Sequence, residues 1–139
     1  MSFLLDTNVL SDLRKPRPNP ALVQWFSEQD ADDLFVSVIT IGEIRQGIEQ
    51  LRRRNARRAA VINQWMDDLI QVYGDRVLGV DQTVADQWGR LRAIRSLPVL
   101  DALIAATARV HRLTVVTRNE KDFAELDVLV LNPSKSERH

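Results

Sequence analysis

Short apolar runs alternate with amphipathic stretches along the whole chain. The runs are apolar at nearly every position, which is typical of strands that are buried on both faces of a parallel sheet. The predicted strands cover residues 2–5, 34–38, 77–80, 113–117 and 128–131. The run at 77–80 is short enough to be an extended connection instead, so the pattern predicts four to five strands.

The stretches between these runs carry apolar residues at helical spacing. In one of them, a single helical face is formed by Ile41, Ile44, Ile48 and Leu51. The predicted helices cover residues 9–13, 20–26, 40–51, 57–73, 82–91 and 101–111. Strands that alternate with helices in this way predict an α/β protein, in which helices cover both faces of a central parallel sheet.

Length and composition narrow the class of protein further. The chain has 139 residues, of which 45% are hydrophobic and none is cysteine. This length fits one domain, and the lack of cysteine excludes a disulfide framework, a thiol nucleophile and a cysteine-based zinc site. No apolar run approaches the roughly 20 residues of a membrane-spanning helix, and the first residues lack the basic flank of a signal peptide. We therefore expect one cytoplasmic domain over residues 1–133, without membrane contact, and a loose polar tail over 134–139.

Basic and acidic residues balance, yet the arginines are unevenly distributed. Lys and Arg number 19, as do Asp and Glu, so no net charge attracts the chain to nucleic acid. One short segment holds five arginines, which are Arg52, Arg53, Arg54, Arg57 and Arg58. Such a cluster can bind phosphate groups locally, although a run of charge by itself is more often a solvated helix face.

Four acidic residues fall where the predicted elements meet. Asp6 follows the first strand and Asp122 follows the strand at 113–117, while Glu43 and Asp101 lie near the starts of helices. Because ligands of a parallel sheet bind beyond the carboxyl ends of its strands, we expect these side chains to converge. Converging carboxylates repel one another, and a divalent cation removes that cost. Oxygen ligands without His or Cys favour Mg²⁺ or Mn²⁺ over zinc.

Three of these acids also have a purely structural interpretation. Asp6 can cap the helix that follows it. The spacing of Thr40-x-x-Glu43 is that of a capping box, and Asn119-x-x-Asp122 resembles a cap followed by an acid in the first turn. Taken singly, the structural interpretation is the stronger one for Glu43 and Asp122.

Asp101 is the most informative of the four acids. Pro98 indicates that the helix begins before Asp101, which would leave the carboxylate inside the first turn instead of at the cap. The helix that follows is apolar on nearly every side, so we expect the carboxylate to be buried. A buried carboxylate without a partner protonates, whereas a nearby cation keeps it ionised.

Four segments of the sequence together resemble the PIN-domain ribonucleases. The most similar type is the VapC/FitB toxin of bacterial type II toxin–antitoxin modules. The segments cover residues 5–11, 37–47, 100–108 and 117–123, and the resemblance extends over 2–133 in the family's order and spacing. One such segment would be a weak signal, whereas the four in combination are specific.

This resemblance implies a three-layer α/β/α PIN domain that cleaves RNA with the help of Mg²⁺ or Mn²⁺. It assigns the catalytic and metal-binding acids to Asp6, Glu43, Asp101 and Asp122. It assigns hydrogen-bonding support of these acids to Thr7, Asn8, Thr117 and Asn119. It also implies a homodimer and a small VapB/FitA-like antitoxin. The chain would associate with operator DNA only through this antitoxin.

Two arginines adjoin the predicted acidic site. Arg45 lies two residues after Glu43, and Arg118 follows the strand that precedes Asp122. Either arginine could hold a phosphate next to the one that is cleaved. For each of them, a role on the solvated surface is an equal alternative.

Two other functions stay open on the sequence alone. An aspartate directly after a strand, as Asp6 is, is also typical of phosphoryl-transfer α/β domains in which that aspartate is the nucleophile. A haloacid-dehalogenase-type site would have a second Asp at position 8, where this chain has Asn8. The other alternative is a catalytically inactive PIN-fold interaction module whose acids only cap helices. Titration with Mn²⁺ and incubation with acetyl phosphate would separate these functions.

Overall fold

The centre of the protein is a parallel sheet. The computed structural model describes residues 1–135, and residues 136–139 of the predicted tail lie outside the described residues. Over the described chain the sheet has five strands, which are β1 (Phe3–Leu5), β2 (Leu34–Ser37), β3 (Val77–Leu78), β4 (Thr114–Val116) and β5 (Val130–Leu131). Their order is β3-β2-β1-β4-β5, and every neighbouring pair is parallel. The predicted parallel sheet of four to five strands is confirmed.

Helices connect these strands. Within residues 1–135 they are α1 (Thr7–Arg14), α2 (Pro20–Ser27), α3 (Val38–Arg52), α4 (Ala56–Tyr73), α5 (Gln82–Ile94), α6 (Val99–His111) and α7 (Glu120–Phe123). Single 3₁₀ turns at Ala31–Asp33 and Gly74–Arg76 precede β2 and β3. None of the helices in this range is both long and apolar enough to cross a membrane.

Apolar side chains of the strands point alternately to the two faces of the sheet. Leu5 and Val116 belong to a core that they share with residues of α1 to α4. Leu4 and Val115 belong to a second core with residues of α5 and α6. All four side chains are completely buried. The protein therefore has three layers, helix on sheet on helix, as the resemblance implied.

The start of α3 differs from the prediction. Val38 is β-branched and favours the predicted strand, yet it is the first residue of α3. The Ser37 hydroxyl accepts a 3.0 Å hydrogen bond from the Ile39 backbone N–H and so caps the helix. Thr40 therefore lies within the first turn, and its predicted role in a capping box is wrong.

Two residues of the predicted tail contact the rest of the domain. The Ser134 carbonyl accepts a 3.3 Å hydrogen bond from Nδ2 of Asn19. Lys135 Nζ lies 2.6 Å from Oε1 of Glu120. The described chain is thus held to the domain up to its last residue.

Candidate active site

Asp6 lies at the carboxyl end of β1, the central strand of the sheet. Its Oδ1 atom accepts a 2.8 Å hydrogen bond from the Thr7 backbone N–H, at the start of α1. Its own backbone N–H donates a 2.9 Å hydrogen bond to the Val116 carbonyl, which joins this position to β4. The side chain is only 8% exposed. Asp6 therefore caps α1 and also lies at the edge where parallel sheets bind ligands.

Two polar side chains hold the second oxygen of the Asp6 carboxylate. The buried Thr117 donates a 2.9 Å hydrogen bond from Oγ1 to Oδ2, and Asn8 Nδ2 lies 3.4 Å from the same oxygen. The Thr117 hydroxyl itself accepts hydrogen bonds from Asn8 Nδ2, at 3.2 Å, and from the Asn119 backbone N–H, at 3.0 Å. These two donors occupy the lone pairs of the hydroxyl oxygen. The hydroxyl therefore acts only as a donor toward Asp6. Asn8 and Thr117 thus contact Asp6 directly, whereas Asn119 acts through its backbone.

Thr7 connects α1 to the acid on α3. Thr7 Oγ1 donates a 2.6 Å hydrogen bond to Oε1 of Glu43 and lies 3.1 Å from Oγ1 of the buried Thr40. Thr40 and Glu43 are three positions apart, which places them on one face of the helix. The Thr-x-x-Glu spacing therefore directs both side chains to Thr7, and the capping-box interpretation of Glu43 is wrong.

Asp101 lies in the first turn of α6, as the preceding proline indicated. The helix begins at Val99, and Pro98 occupies the N-cap position without a side-chain hydrogen bond. Asp101 is half-buried, which is less than the burial expected from the apolar helix, while Ala102 and Ala105 on the same helix are completely buried. Among residues 1–135, none donates a hydrogen bond to its carboxylate.

Asp122 lies in α7, the single-turn helix that follows β4. Its backbone N–H donates a 3.0 Å hydrogen bond to the Asn119 carbonyl. Asn119 holds the N-cap position, but its side chain makes no capping hydrogen bond. The structural interpretation of Asn119 and Asp122 is therefore right in placing the N-cap at Asn119, but wrong in expecting the Asn119 side chain to form the capping hydrogen bond. The Asp122 side chain is exposed.

The ionisation of Asp6 is set by opposing effects. Burial is the largest of them and raises the pKa of the carboxyl above its ordinary value. The hydrogen bonds from Thr117 and Thr7 favour the charged form and lower the pKa again. The negative charges of Glu43 and Asp122 raise it further.

Asp101 has a similar environment without the hydrogen bonds. Burial is the first cause that raises its pKa, and the charges of Asp122, Asp6 and Glu43 follow in that order. Acids from four separate segments of the chain are therefore close enough for their charges to interact. The structure brings the four predicted carboxylates to one edge of the sheet.

The donor chemistry of this edge suits a hard divalent cation. Over the described residues, none of the four carboxylates forms a salt bridge with a basic side chain, so their charge is not compensated. All four offer the oxygen ligands that Mg²⁺ and Mn²⁺ prefer. In the same range, no three His, Asp or Glu side chains are grouped closely enough to hold a metal ion as they stand. The residues thus fit the cation by ligand type and charge, without forming a closed ligand shell.

The two arginines that were predicted to contact phosphate differ in their surroundings. Arg45 donates from Nη1 to Oδ1 of Asn63, at 2.6 Å, and to Oε2 of Glu49, at 3.2 Å. These bonds hold its guanidinium between α3 and α4. Arg118 is exposed, and together with Asp122 it lines a groove of about 530 Å³. Of the two, Arg118 is the one that adjoins the acids.

The contributions of two polar residues to this edge were not predicted from the sequence. Thr40 is completely buried and contacts Thr7, and its only signal was its position three residues before an acid. Asn132 follows β5 and donates from Nδ2 to the Arg118 carbonyl, at 3.5 Å, and to Oε1 of Glu120, at 3.3 Å. It thereby ties the loop after β4 to the neighbouring strand. Its signal was a polar residue directly after an apolar strand.

The protein is a three-layer domain whose acids lie beyond the central parallel strands. Comparison with known proteins identifies the family to which this combination of fold and site belongs. The PIN domain family model matches residues 3–129, and the chain belongs to this family. It is 34% identical over 137 residues to Toxin FitB of Neisseria gonorrhoeae, covering 94% of this chain and 97% of that protein. It is 30% identical over 136 residues to VapC ribonuclease Y4jK of Sinorhizobium fredii, with coverages of 94% and 96%. The structure of FitAB bound to an IR36 DNA fragment superimposes with a TM-score of 0.87 at 33% identity, over 99% of each chain.

Proposed function

We propose that this chain is a Mg²⁺- or Mn²⁺-dependent endoribonuclease that acts as the toxin of a type II toxin–antitoxin module. One observation carries the proposal, which is the interaction of four uncompensated carboxylates at a single sheet edge. These are Asp6, Glu43, Asp101 and Asp122. The similar proteins named as a toxin and as a VapC ribonuclease support the same activity.

In this proposal Asp6 and Asp101 hold the cation, and Glu43 and Asp122 bind it directly or through water. The pKa values of Asp6 and Asp101 are raised in part by neighbouring carboxylates, so a dication would relieve repulsion as well as gain ligands. When bound, it supplies positive charge that offsets the negative charge developing on the reacting phosphate.

The side chains around the acids keep them charged and oriented. Thr117 and Asn8 donate to Oδ2 of Asp6, which favours its ionised form. Thr7 donates to Oε1 of Glu43, and Oε2 is left to bind a water molecule. In the hydrolysis, a water oxygen bonds to phosphorus while the bond from phosphorus to the 3′ oxygen breaks. The products carry a 3′-hydroxyl and a 5′-phosphate.

The same charge suits an inhibitory protein partner. A guanidinium from a small antitoxin would pair with the uncompensated carboxylates and compete with the cation. The similar structure, FitAB on a DNA fragment, supports such a partner and an association with DNA through it. We extend the proposal to a homodimer in the cytoplasm on the basis of the family resemblance.

The residue beside Asp6 disfavours the alternative in which Asp6 is a phosphate-accepting nucleophile of the haloacid-dehalogenase type. Asn8 occupies the position of the second Asp in such a site, and its Nδ2 lies 3.4 Å from Oδ2 of Asp6. An amide cannot give or take the proton that a carboxyl group would. Incubation with acetyl phosphate should therefore leave the mass of the protein unchanged, and a stable aspartyl adduct would contradict the proposal.

The test begins with expression of the chain in a bacterial host, with and without the small open reading frame beside its gene. We expect growth arrest that the neighbour relieves, together with new RNA ends that carry 5′-phosphates. Asp6→Asn should abolish both effects, and a chelator should abolish cleavage by the purified protein.

Asp12→Asn is the matched control for that variant. Asp12 is a second buried carboxylate on α1, 6% exposed, and it accepts a hydrogen bond from the Asn19 backbone N–H. Its amide keeps an acceptor for that bond, so cleavage should persist. Cleavage that survives in Asp6→Asn, or that a chelator does not affect, would refute the proposed chemistry.

A further inference from the structure

An arginine-lined groove leaves the acidic site along α3. It has a volume of about 300 Å³, and Thr7 and Glu43 form the end that adjoins the acids. Gly47 and Leu51 continue its wall along the helix. Its other lining residues include three arginines, referred to here as the groove arginines, which are Arg14, Arg54 and Arg58.

Only some of the five arginines that cluster between residues 52 and 58 line the groove. Arg54 lies in the connection between α3 and α4, and Arg58 lies in the first turn of α4. Both line the groove, whereas Arg53 and Arg57 do not. Arg52 is paired with Glu49 on its own helix, at 3.0 Å. The third groove arginine, Arg14, comes from the end of α1.

The groove arginines have no carboxylate partner. Within residues 1–135, none of them takes part in a salt bridge. The first turn of α4 holds no acidic residue, and a cation such as Arg58 at a helix N-terminus is unfavourable because that end of the helix dipole is positive. No negative charge of the described chain therefore neutralises these guanidinium groups in a salt bridge.

Arg14 and Arg58 also act on each other. Burial is the first cause that lowers the pKa of Arg14, and the charge of Arg58 is the second. The Arg14 guanidinium lies 5.9 Å from the centre of the Trp65 ring, within the range of a cation–π contact. One guanidinium is thus held against an aromatic ring and repelled by another, and an anion in the groove would relieve that repulsion.

We infer that the groove arginines bind backbone phosphates of a single-stranded RNA beside the bond that is cleaved, an inference that rests on the proposed ribonuclease function. The planar guanidinium pairs with a phosphate through two hydrogen bonds. A rise of 1.5 Å per residue places Leu51 about 12 Å along α3 from Glu43. The phosphates that these arginines bind are therefore flanking ones.

RNA fits the groove better than an acidic segment of a protein does. Glu43 belongs both to the acidic site and to the groove, so a strand that reacts at the acids continues directly into the groove. An acidic peptide has no interaction that would bring it to the carboxylates. At Gly47, an added Cβ would meet no atom within 4 Å, which leaves space for a strand to pass.

The test measures binding without cleavage. A fluorescent 2′-O-methyl oligoribonucleotide of about 12 nucleotides is titrated with the full chain in EDTA, at several salt concentrations. R54Q/R58Q should weaken binding about tenfold and reduce the slope of log affinity against log salt by roughly 1.4, because each phosphate contact to a single strand contributes about 0.7. Arg14→Gln, on a different helix, should weaken binding in the same direction.

R53Q/R57Q is the matched control, because it removes the same charge from the same segment outside the groove. We expect it to change the affinity less than about twofold. Melting curves of both double variants check folding, and R54Q/R58Q should melt no lower than wild type because it relieves repulsion at the start of α4.

Two outcomes would overturn the inference without refuting the proposed function. If R54Q/R58Q and R53Q/R57Q lose the same affinity for the oligoribonucleotide, the effect is general charge attraction and not binding by the groove arginines. Unchanged RNA binding by R54Q/R58Q, with loss of binding to a hexaglutamate peptide, would assign the groove to an acidic protein partner. In either case RNA cleavage by the wild-type chain would leave the nuclease in place. Lack of cleavage by wild type, with the predicted change in binding, would instead refute the nuclease alone.

Discussion

The Thr117 hydroxyl donates a 2.9 Å hydrogen bond to Oδ2 of Asp6, and this contact joins the residue after β4 to the residue after β1. Both side chains are buried. The bond is the largest of the effects that lower the pKa of Asp6, and it opposes burial and the charges of neighbouring acids. The charged form of the central acid therefore depends on a residue that is 111 positions away in the sequence.

Thr117→Val tests this dependence. Without the hydroxyl, the pKa of Asp6 should rise. On the acid side of the pH–rate profile, RNA cleavage by the variant should therefore be lost at a higher pH than in wild type. Stability should also fall, by about 1–3 kcal/mol, because donors that pointed at the hydroxyl lose their acceptor. Thr107→Val is the control, since it removes an equally buried hydroxyl that bonds to the Leu103 carbonyl. An acid limb that does not move in Thr117→Val would contradict the role of this bond.

The raised pKa values of Asp6 and Asp101 predict how stability depends on pH. Between their ordinary value of 3.8 and the raised values, the folded chain binds more protons than the unfolded chain. Stability in EDTA should therefore fall as the pH rises through that window and stay lower above it. Asp6→Asn removes one of these ionisations, so it should melt higher than wild type at neutral pH, by roughly 3 °C for each kcal/mol regained.

Thermal melts over a pH series, from about 4 to 8, measure this effect. Asp12→Asn again serves as the control, because it removes a buried carboxylate outside the acidic site. Its melting temperature should not rise at neutral pH. If Asp6→Asn melts well below wild type at every pH, capping of α1 is the dominant role of Asp6 and charge repulsion is secondary.

Binding of Mn²⁺ follows from the uncompensated charge of the acids. Calorimetric titration should detect a site in wild type, and saturating Mn²⁺ should raise the melting temperature, since a ligand at 100 times its Kd stabilises a protein by about 2.7 kcal/mol. Asp6→Asn and Asp101→Asn should each lose the site, while Asp12→Asn should keep it. Equal binding by all four proteins, or none by wild type, would favour the inactive interaction module.

Much of this edge follows from local rules that agree with the topology. An apolar strand ends at Asp6, and a proline three residues before Asp101 places that acid in a first turn. A parallel sheet then brings both positions to the same edge. No side-chain contact is needed for these predictions, which is why they could be made from the sequence.

The orientation of Thr40 and Glu43 could not be predicted in the same way. Their spacing satisfies both a capping box and a pair on one helix face. The choice depends on Ser37, whose side chain caps the helix. It also depends on Thr7, which lies 36 residues before Glu43 and contacts both Thr40 and Glu43. Only the tertiary structure contains that information.

Ser37→Ala and Glu43→Gln test the roles of the N-cap residue of α3 and of an acid on that helix. Loss of the Ser37 cap should cost about 1 kcal/mol of unfolding free energy. Glu43→Gln should leave stability nearly unchanged, because its amide oxygen can still accept the hydrogen bond from Thr7, but it should lose RNA cleavage because the negative charge is gone. Urea unfolding and a cleavage assay on the same preparations measure both effects. Cleavage at the wild-type rate by Glu43→Gln would contradict the role of Glu43 in the acidic site.

Gly47 offers a variant in which stability and activity should move in opposite directions. Glycine inside a helix is unfavourable, so Gly47→Leu should stabilise the chain by up to about 1 kcal/mol, and no atom within 4 Å opposes the new Cβ. The same side chain would occupy the groove beside Glu43, so RNA cleavage should fall about tenfold if the strand passes there. Gly89→Leu is the control, because Gly89 lies inside α5 with equally open surroundings and should gain stability at full activity. A Gly47→Leu chain that melts higher and still cleaves RNA at the wild-type rate would mean that the substrate does not cross α3 at this point.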